Sequence, residues 1–207
     1  MSGSDLLLPE QCDIDANRLC QQYLEMIYQA IPRTVELSSS KRMIAETYGE
    51  ILYPSVNRLL SQVKLTEQDV FYDFGSGLGK LALQVFMLTP VRAVHAIEII
   101  PALHAAAARA EERLRSDLPQ FYADDRKLVL TLGSFLNVPI QSATVVLLGS
   151  PCYSPDMLDT VAARIDSIQG VRTVLSLRPL FALKRLRFQH VIRIECSWDT
   201  ALCYLYS

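Results

Sequence analysis

Apolar positions along this chain change their spacing once, near residue 66. Before that point they recur at helical intervals. Leu19, Tyr23, Met26 and Ala30 mark a helix from Asp13 to Ala30, ahead of Pro32. Val56, Leu59, Leu60 and Val63 mark another after Pro54, and a short helix is expected between them from Lys41 to Thr47. After residue 66, short β-prone runs alternate with helical ones. "VFYDF", "VRAVHAIEI", "KLVLTL" and "ATVVLLG" read as strands. "KLALQVFML", "PALHAAAARAEERLRSDL" and "SPDMLDTVAARIDSI" read as helices, the last with Ser154 as its cap. "VRTVLSL", "FQHVIRIEC" and "TALCYLYS" close the chain as strands; the last two leave no room for a helix between them, so they are expected to pair as an antiparallel hairpin. The pattern predicts an α/β fold: a doubly wound, Rossmann-like sheet, mostly parallel with an antiparallel C-terminal hairpin, plus a small helical N-terminal segment. Residues 1–65 form that segment and a covering loop; residues 66–207 form the ligand-binding domain.

Composition narrows the partners. The 207 residues suffice for one full-sized domain, half of them are hydrophobic, and the net charge is −2. Bulk attraction to nucleic acid or anionic lipid is therefore not expected. Nucleic-acid or acidic-partner contact is left to a local patch, Arg178 with Lys184, Arg185 and Arg187, for which a solvated loop is the commoner reading. The five cysteines are scattered without ligand spacing, so free thiols in a reducing compartment are expected and zinc is not. No apolar run is long enough to span a membrane. "MSGSDLLLPEQCD" lacks a basic region and is not read as a secretory signal. The expected location is cytoplasmic or nuclear, with delivery into a host cell a further route if the source is a pathogen.

The candidate chemistry sits in "YDFGSGLGK", Tyr72 to Lys80. A triphosphate loop needs Ser or Thr after Gly-Lys, but Leu81 follows, and Phe74 stands where its first glycine belongs. A dinucleotide fingerprint fits Gly75 and Gly77 but meets Lys80 at its third glycine, and Asp73 would repel a pyrophosphate. S-adenosylmethionine reverses the sign: its ammonium and sulfonium turn Asp73 into an asset. Gly75, Gly77 and Gly79 let backbone approach the ligand. Glu98, nineteen residues after Gly79 at the next strand's end, is placed to accept the ribose hydroxyls. Phe135 in "GSFLN" is a candidate adenine platform, with core packing as its ordinary alternative; Ser134 faces the adenine edge or caps a turn. Tyr153 in "GSPCYSP" is a candidate channel wall, and Ser150 at the head of that loop is placed with the cofactor-binding residues. Tyr48, Trp198, Tyr204 and Tyr206 add aromatics near element ends, as an amine channel requires.

"ETYGE", "VFYDFGSGLGKLALQV", the acidic second strand, "GSF", "LSLRPLF" and "CSW" with "CYLY" follow one another in an order that resembles the disruptor-of-telomeric-silencing, or Dot-type, non-SET histone lysine methyltransferases. They lie within the wider seven-strand class I S-adenosylmethionine-dependent methyltransferases. The resemblance runs from about residue 40 to the C-terminus. It implies that Tyr48, Gly49 and Glu50 cover the methionine end of the cofactor, that Asp73, Gly75 and Glu98 hold its amine, turn and ribose, and that Phe135 stacks on adenine. It implies a protein substrate offering a lysine side chain, such as a histone, in a channel lined by Tyr153 and Tyr204, with Tyr48 nearby. Lys80 stands where the family usually has glutamine. Ser134 replaces its aspartate, and "GSPCY" replaces its Asn-Asn-Phe-x-Phe loop. Two other readings stay open: a methyltransferase for another nitrogen, on nucleic acid or a small molecule, and a binding module with little or no turnover.

Overall fold

The computed structural model describes residues 9–31, 49–140, 142–149 and 152–207. The short helix expected over Lys41–Thr47 lies outside them, as do Tyr48 and Ser150. The elements run α1 (Pro9–Ala30), α2 (Tyr53–Ser61), β1 (Val70–Phe74), α3 (Lys80–Leu88), β2 (Ala93–Glu98), α4 (Pro101–Asp117), β3 (Lys127–Leu132), β4 (Val145–Leu148), α5 (Pro155–Ser167), β5 (Thr173–Ser176), β6 (Phe188–Glu195) and β7 (Thr200–Tyr206). Every strand expected from the spacing is present. They form one sheet in the order β3-β2-β1-β4-β5-β7-β6. The first five strands are parallel; β7 runs antiparallel to both β5 and β6. Strand order reverses between β1 and β4, the place where open α/β sheets bind ligands.

The apolar runs of β1, β4 and β5 are buried on both faces, as parallel central strands require. One core lies between the sheet and α1–α4, centred on Leu83, Phe86, Leu114 and Leu147. A second lies under α5 with Phe74, Leu148, Val161 and Ile165. The second layer is thin, because the β3–β4 and β5–β6 crossovers carry no helix.

Helix α1 corrects the sequence reading in one respect. Its buried stripe is Cys20, Leu24 and Ile27, whereas Leu19 and Met26 are half or more exposed. Two apolar stripes compete on this helix, and packing against α3 selects the one offset by a residue. Ser154 caps α5 as expected, accepting from the Met157 amide.

An ion-pair network ties the sheet's edge opposite the glycine loop. The Asp69 carboxylate accepts from the Arg172 guanidinium at 3.0 and 2.8 Å, from the Thr144 hydroxyl at 2.7 Å and from the Thr66 amide at 2.8 Å. Burial alone would raise this carboxyl, but those donors outweigh it and hold it well below the usual range. The stability it adds is therefore present above the unfolded carboxylate range and lost as pH falls through the folded value. Asp69→Ala is expected to cost about 2 kcal/mol at pH 7 in urea unfolding, the difference from the parent shrinking below about pH 4.

Candidate functional site

Three left-handed glycines shape the turn from β1 into α3. Gly75, Gly77 and Gly79 have φ of 79°, 57° and 77°. At Gly79 a side chain would also meet Ala107 at 2.9 Å, so glycine lets α3 start against α4. The amides of Gly75 and Ser76 both donate to the Ile97 carbonyl, at 2.9 and 3.0 Å, lashing the loop to the end of β2.

Two acids meet beneath this loop. Glu98 is buried, and each of its oxygens accepts a backbone amide: Oε2 from Gly77 at 2.7 Å and Oε1 from Ile100 at 2.8 Å. Asp73 is buried too, yet among the described residues no hydrogen bond reaches its carboxylate. Burial, and secondarily the charge of Glu98, push the Asp73 carboxyl up to about 7. An acid left so costly to ionise would be stabilised by a cation placed beside it. With the glycine cradle above it, this donor set suits the ammonium-bearing end of S-adenosylmethionine rather than a phosphate.

The remaining candidates divide. Lys80 and Glu50 pair at 2.7 Å, with the ammonium 5.1 Å from the centre of the Tyr28 ring. Tyr28 itself donates to the Leu78 carbonyl in the glycine loop at 2.7 Å. Glu50 is fixed from the other side: its amide donates to the Ser197 hydroxyl at 3.0 Å, and its carbonyl accepts the Ser197 amide at 2.8 Å. Trp198 packs against Gly49, where an added Cβ would fall 1.7 Å from the indole. The β6–β7 turn therefore anchors the irregular segment at residues 49–52, which is also bridged to it through Ile51 and Cys196. Tyr28 stands in no motif; Ser197 lies in "CSW", but nothing in that stretch signals its pairing with Glu50.

Phe135 is buried, stacked on Phe74 with ring centres 5.0 Å apart and planes 2° apart. Tyr153 meets it edge-on at 5.4 Å. Ser134 caps its own turn, accepting from the Leu136 amide at 3.2 Å. The carbonyls of Leu136 and Val138 are held by the Arg164 guanidinium of α5. Arg164 thus steadies the helix-less crossover that carries Phe135, a role its place on an ordinary amphipathic helix does not reveal. Arg164→Ala is expected to weaken binding of S-adenosylhomocysteine about tenfold, from two lost charge-assisted hydrogen bonds, with Arg164→Lys between. Calorimetric titration checks it; equal affinity in all three proteins would make Arg164 purely structural.

Tyr204 lies in one row across the sheet with Phe74, Leu148 and Ser176. Its ring packs near Phe188, with centroids 6.3 Å apart. In the basic loop, Asp166 accepts the amides of Lys184 and Arg185, and the Arg185 side chain folds back to the Ile168 carbonyl. Part of the expected patch is therefore structural. No cluster of metal-ligating side chains occurs among the described residues, and no helix among them is long and apolar enough to cross a membrane.

A family model described as "Histone methylation protein DOT1" matches residues 28–195. This chain belongs to the DOT1 histone-methylation family. Among curated DOT1 relatives, the "Histone-lysine N-methyltransferase, H3 lysine-79 specific" of Drosophila melanogaster is 26% identical over 164 residues, 76% of this chain but 9% of that protein. The protein of the same description from Debaryomyces hansenii is 42% identical over 71 residues, 33% of this chain and 6% of its own length. The chain thus spans less than a tenth of the length of these relatives. Among solved structures, an uncharacterised Listeria monocytogenes protein superposes with a TM-score of 0.54 at 12% identity, covering 73% of this chain and 66% of that one. M. capricolum TrmK, solved with S-adenosylhomocysteine, gives 0.51 at 11% identity over the same 73% and 66%. At such identities these likenesses show the fold, which is the one the alternating pattern predicts.

Proposed function

We propose that this chain binds S-adenosylmethionine at the C-terminal edge of its sheet and transfers the methyl group to a lysine amine of a protein, histone-like in character. The observation that carries this is Asp73: a buried carboxylate that accepts no hydrogen bond among the described residues, under a glycine cradle and beside Glu98, in a chain of the DOT1 family. When bound, the cofactor supplies a methyl group already activated on a cationic sulfur. Asp73 takes the ammonium, Glu98 faces the ribose with the lone pairs its two amides leave, and the Phe135 loop borders the adenine. Glu50, Lys80 and the Gly49–Trp198 contact hold the covering loop over the methionine end. Tyr48, Tyr153, Tyr204 and Ser150 complete the cofactor and acceptor sides on this reading. Positioning supplies most of the acceleration. The acceptor must arrive neutral; deprotonating a lysine at pH 7 costs about 4–5 kcal/mol, part of which an aromatic, water-poor channel offsets. The names of the relatives support a histone acceptor, and a nuclear or cytoplasmic site of action follows from it.

Radiolabelled methyl transfer to histones, nucleosomes, cell lysate and an RNA pool tests the reading. Label in a protein lysine is expected. Label confined to RNA would move the reaction to another nitrogen, and cofactor binding without transfer to any pool would leave a binding module.

A further inference from the structure

Gly75 has a close neighbour, and it is a side chain of the same protein. The Tyr153 hydroxyl lies 2.4 Å from where a Cβ on Gly75 would stand. That hydroxyl donates to the Phe74 carbonyl at 3.4 Å, and the ring rests edge-on against Phe135. The negative charges of Asp73 and Glu98 both act on the phenol. One side chain therefore reaches from the expected adenine platform to the backbone of the glycine loop, where a nucleoside with an ammonium tail would lie. We propose that Tyr153 fills the cofactor's seat in the ligand-free protein and must swing out before the cofactor enters, after which it is free to face the acceptor. The inference rests on the cofactor reading above.

The energetics favour a removable plug. At 3.4 Å the hydroxyl's hydrogen bond is near the limit of such contacts, so little is lost when it leaves. The phenol donates to the Phe74 carbonyl and not to Asp73, which accepts no hydrogen bond among the described residues, whereas a cation in the same place would satisfy it. The arrangement also bears on the sequence. A methyl group at position 75 would strike the tyrosine hydroxyl, and the left-handed φ of 79° favours glycine there in any case.

The test compares the parent chain with Tyr153→Ala and Tyr153→Phe, using S-adenosylhomocysteine as the probe in stopped-flow binding and calorimetry. In the parent, the observed association rate is expected to level off as ligand rises, because opening becomes limiting. In Tyr153→Ala it should rise linearly. If about nine molecules in ten are plugged, the apparent Kd falls roughly tenfold in the alanine variant. Tyr153→Phe keeps the ring and removes the hydroxyl, and should bind at an intermediate rate; it carries the test if the alanine variant does not melt cooperatively. Equal, linear association in all three proteins overturns the plug while leaving the cofactor reading intact. Weaker binding by Tyr153→Ala, with association as in the parent and faster release, also overturns it, making Tyr153 a plain cofactor contact. Binding by neither the parent nor the variants would overturn the cofactor reading itself.

Discussion

Asp73→Asn is expected to abolish useful cofactor binding and, at the same time, to stabilise the ligand-free fold at pH 8. Both effects come from one buried charge. With its carboxyl pushed up to about 7 from an ordinary 3.8, Asp73 keeps its proton in the fold across a range where the unfolded chain releases it. The unfolded state then binds fewer protons, so stability falls as pH rises between those two values. The interval corresponds to at most about 4 kcal/mol, which asparagine removes. Loss of the ammonium's partner should cost about 3 kcal/mol in binding, roughly a hundredfold in Kd. Binding to the parent should also release a proton near pH 6–7, seen as a buffer-dependent heat in calorimetry, and tighten as pH rises to 8. Asparagine removes that release. A destabilised asparagine variant, or one that binds as the parent does, would mean that Asp73 is not the ammonium site.

Glu98→Gln should act with the opposite sign on stability. Each Glu98 oxygen already accepts a backbone amide, from Gly77 and from Ile100. A glutamine offers one acceptor and one donor, so one of those amides would face an N–H group. The expected loss is about 1–3 kcal/mol in urea unfolding, because the glycine loop is unpinned as well as uncharged. Cofactor affinity should fall roughly 10- to 100-fold, from a weakened charge-assisted contact to the ribose. Two buried acids on neighbouring strands are thus separated by sign: one strains the empty fold and waits for a cation, the other shapes the loop. A Glu98→Gln protein with unchanged stability and affinity would reduce this residue to a strand end.

The candidate site was legible wherever function depends on a short motif. Asp73, the three glycines and Glu98 lie on one βαβ unit, so spacing alone brings them together. Phe135 was found as an aromatic after β3, but which surface it stacks on was not; Phe74 lies under it from another strand. Lys80 was noticed as a departure from its family, yet its partner Glu50 is thirty residues away and paired only through the fold. Arg164 had no signal, because an arginine on an amphipathic helix looks alike whether it meets water or two carbonyls of a crossing loop.

The sequence by itself determined the order of strands and helices and the antiparallel end of the sheet, and it set the expectation that the glycine loop takes a cationic ligand. These follow from interactions within a few residues: periodicity, turn chemistry and the charge of one strand end. Tertiary structure alone decided which stripe of α1 is buried, where the β6–β7 turn anchors Gly49 and Glu50, and that Tyr153 reaches Gly75. Those contacts join residues far apart in the chain, 79 positions from Tyr153 to Phe74 and 147 from Glu50 to Ser197. No local pattern encodes such a pairing; it exists only once seven strands have brought the ends of their loops to one edge.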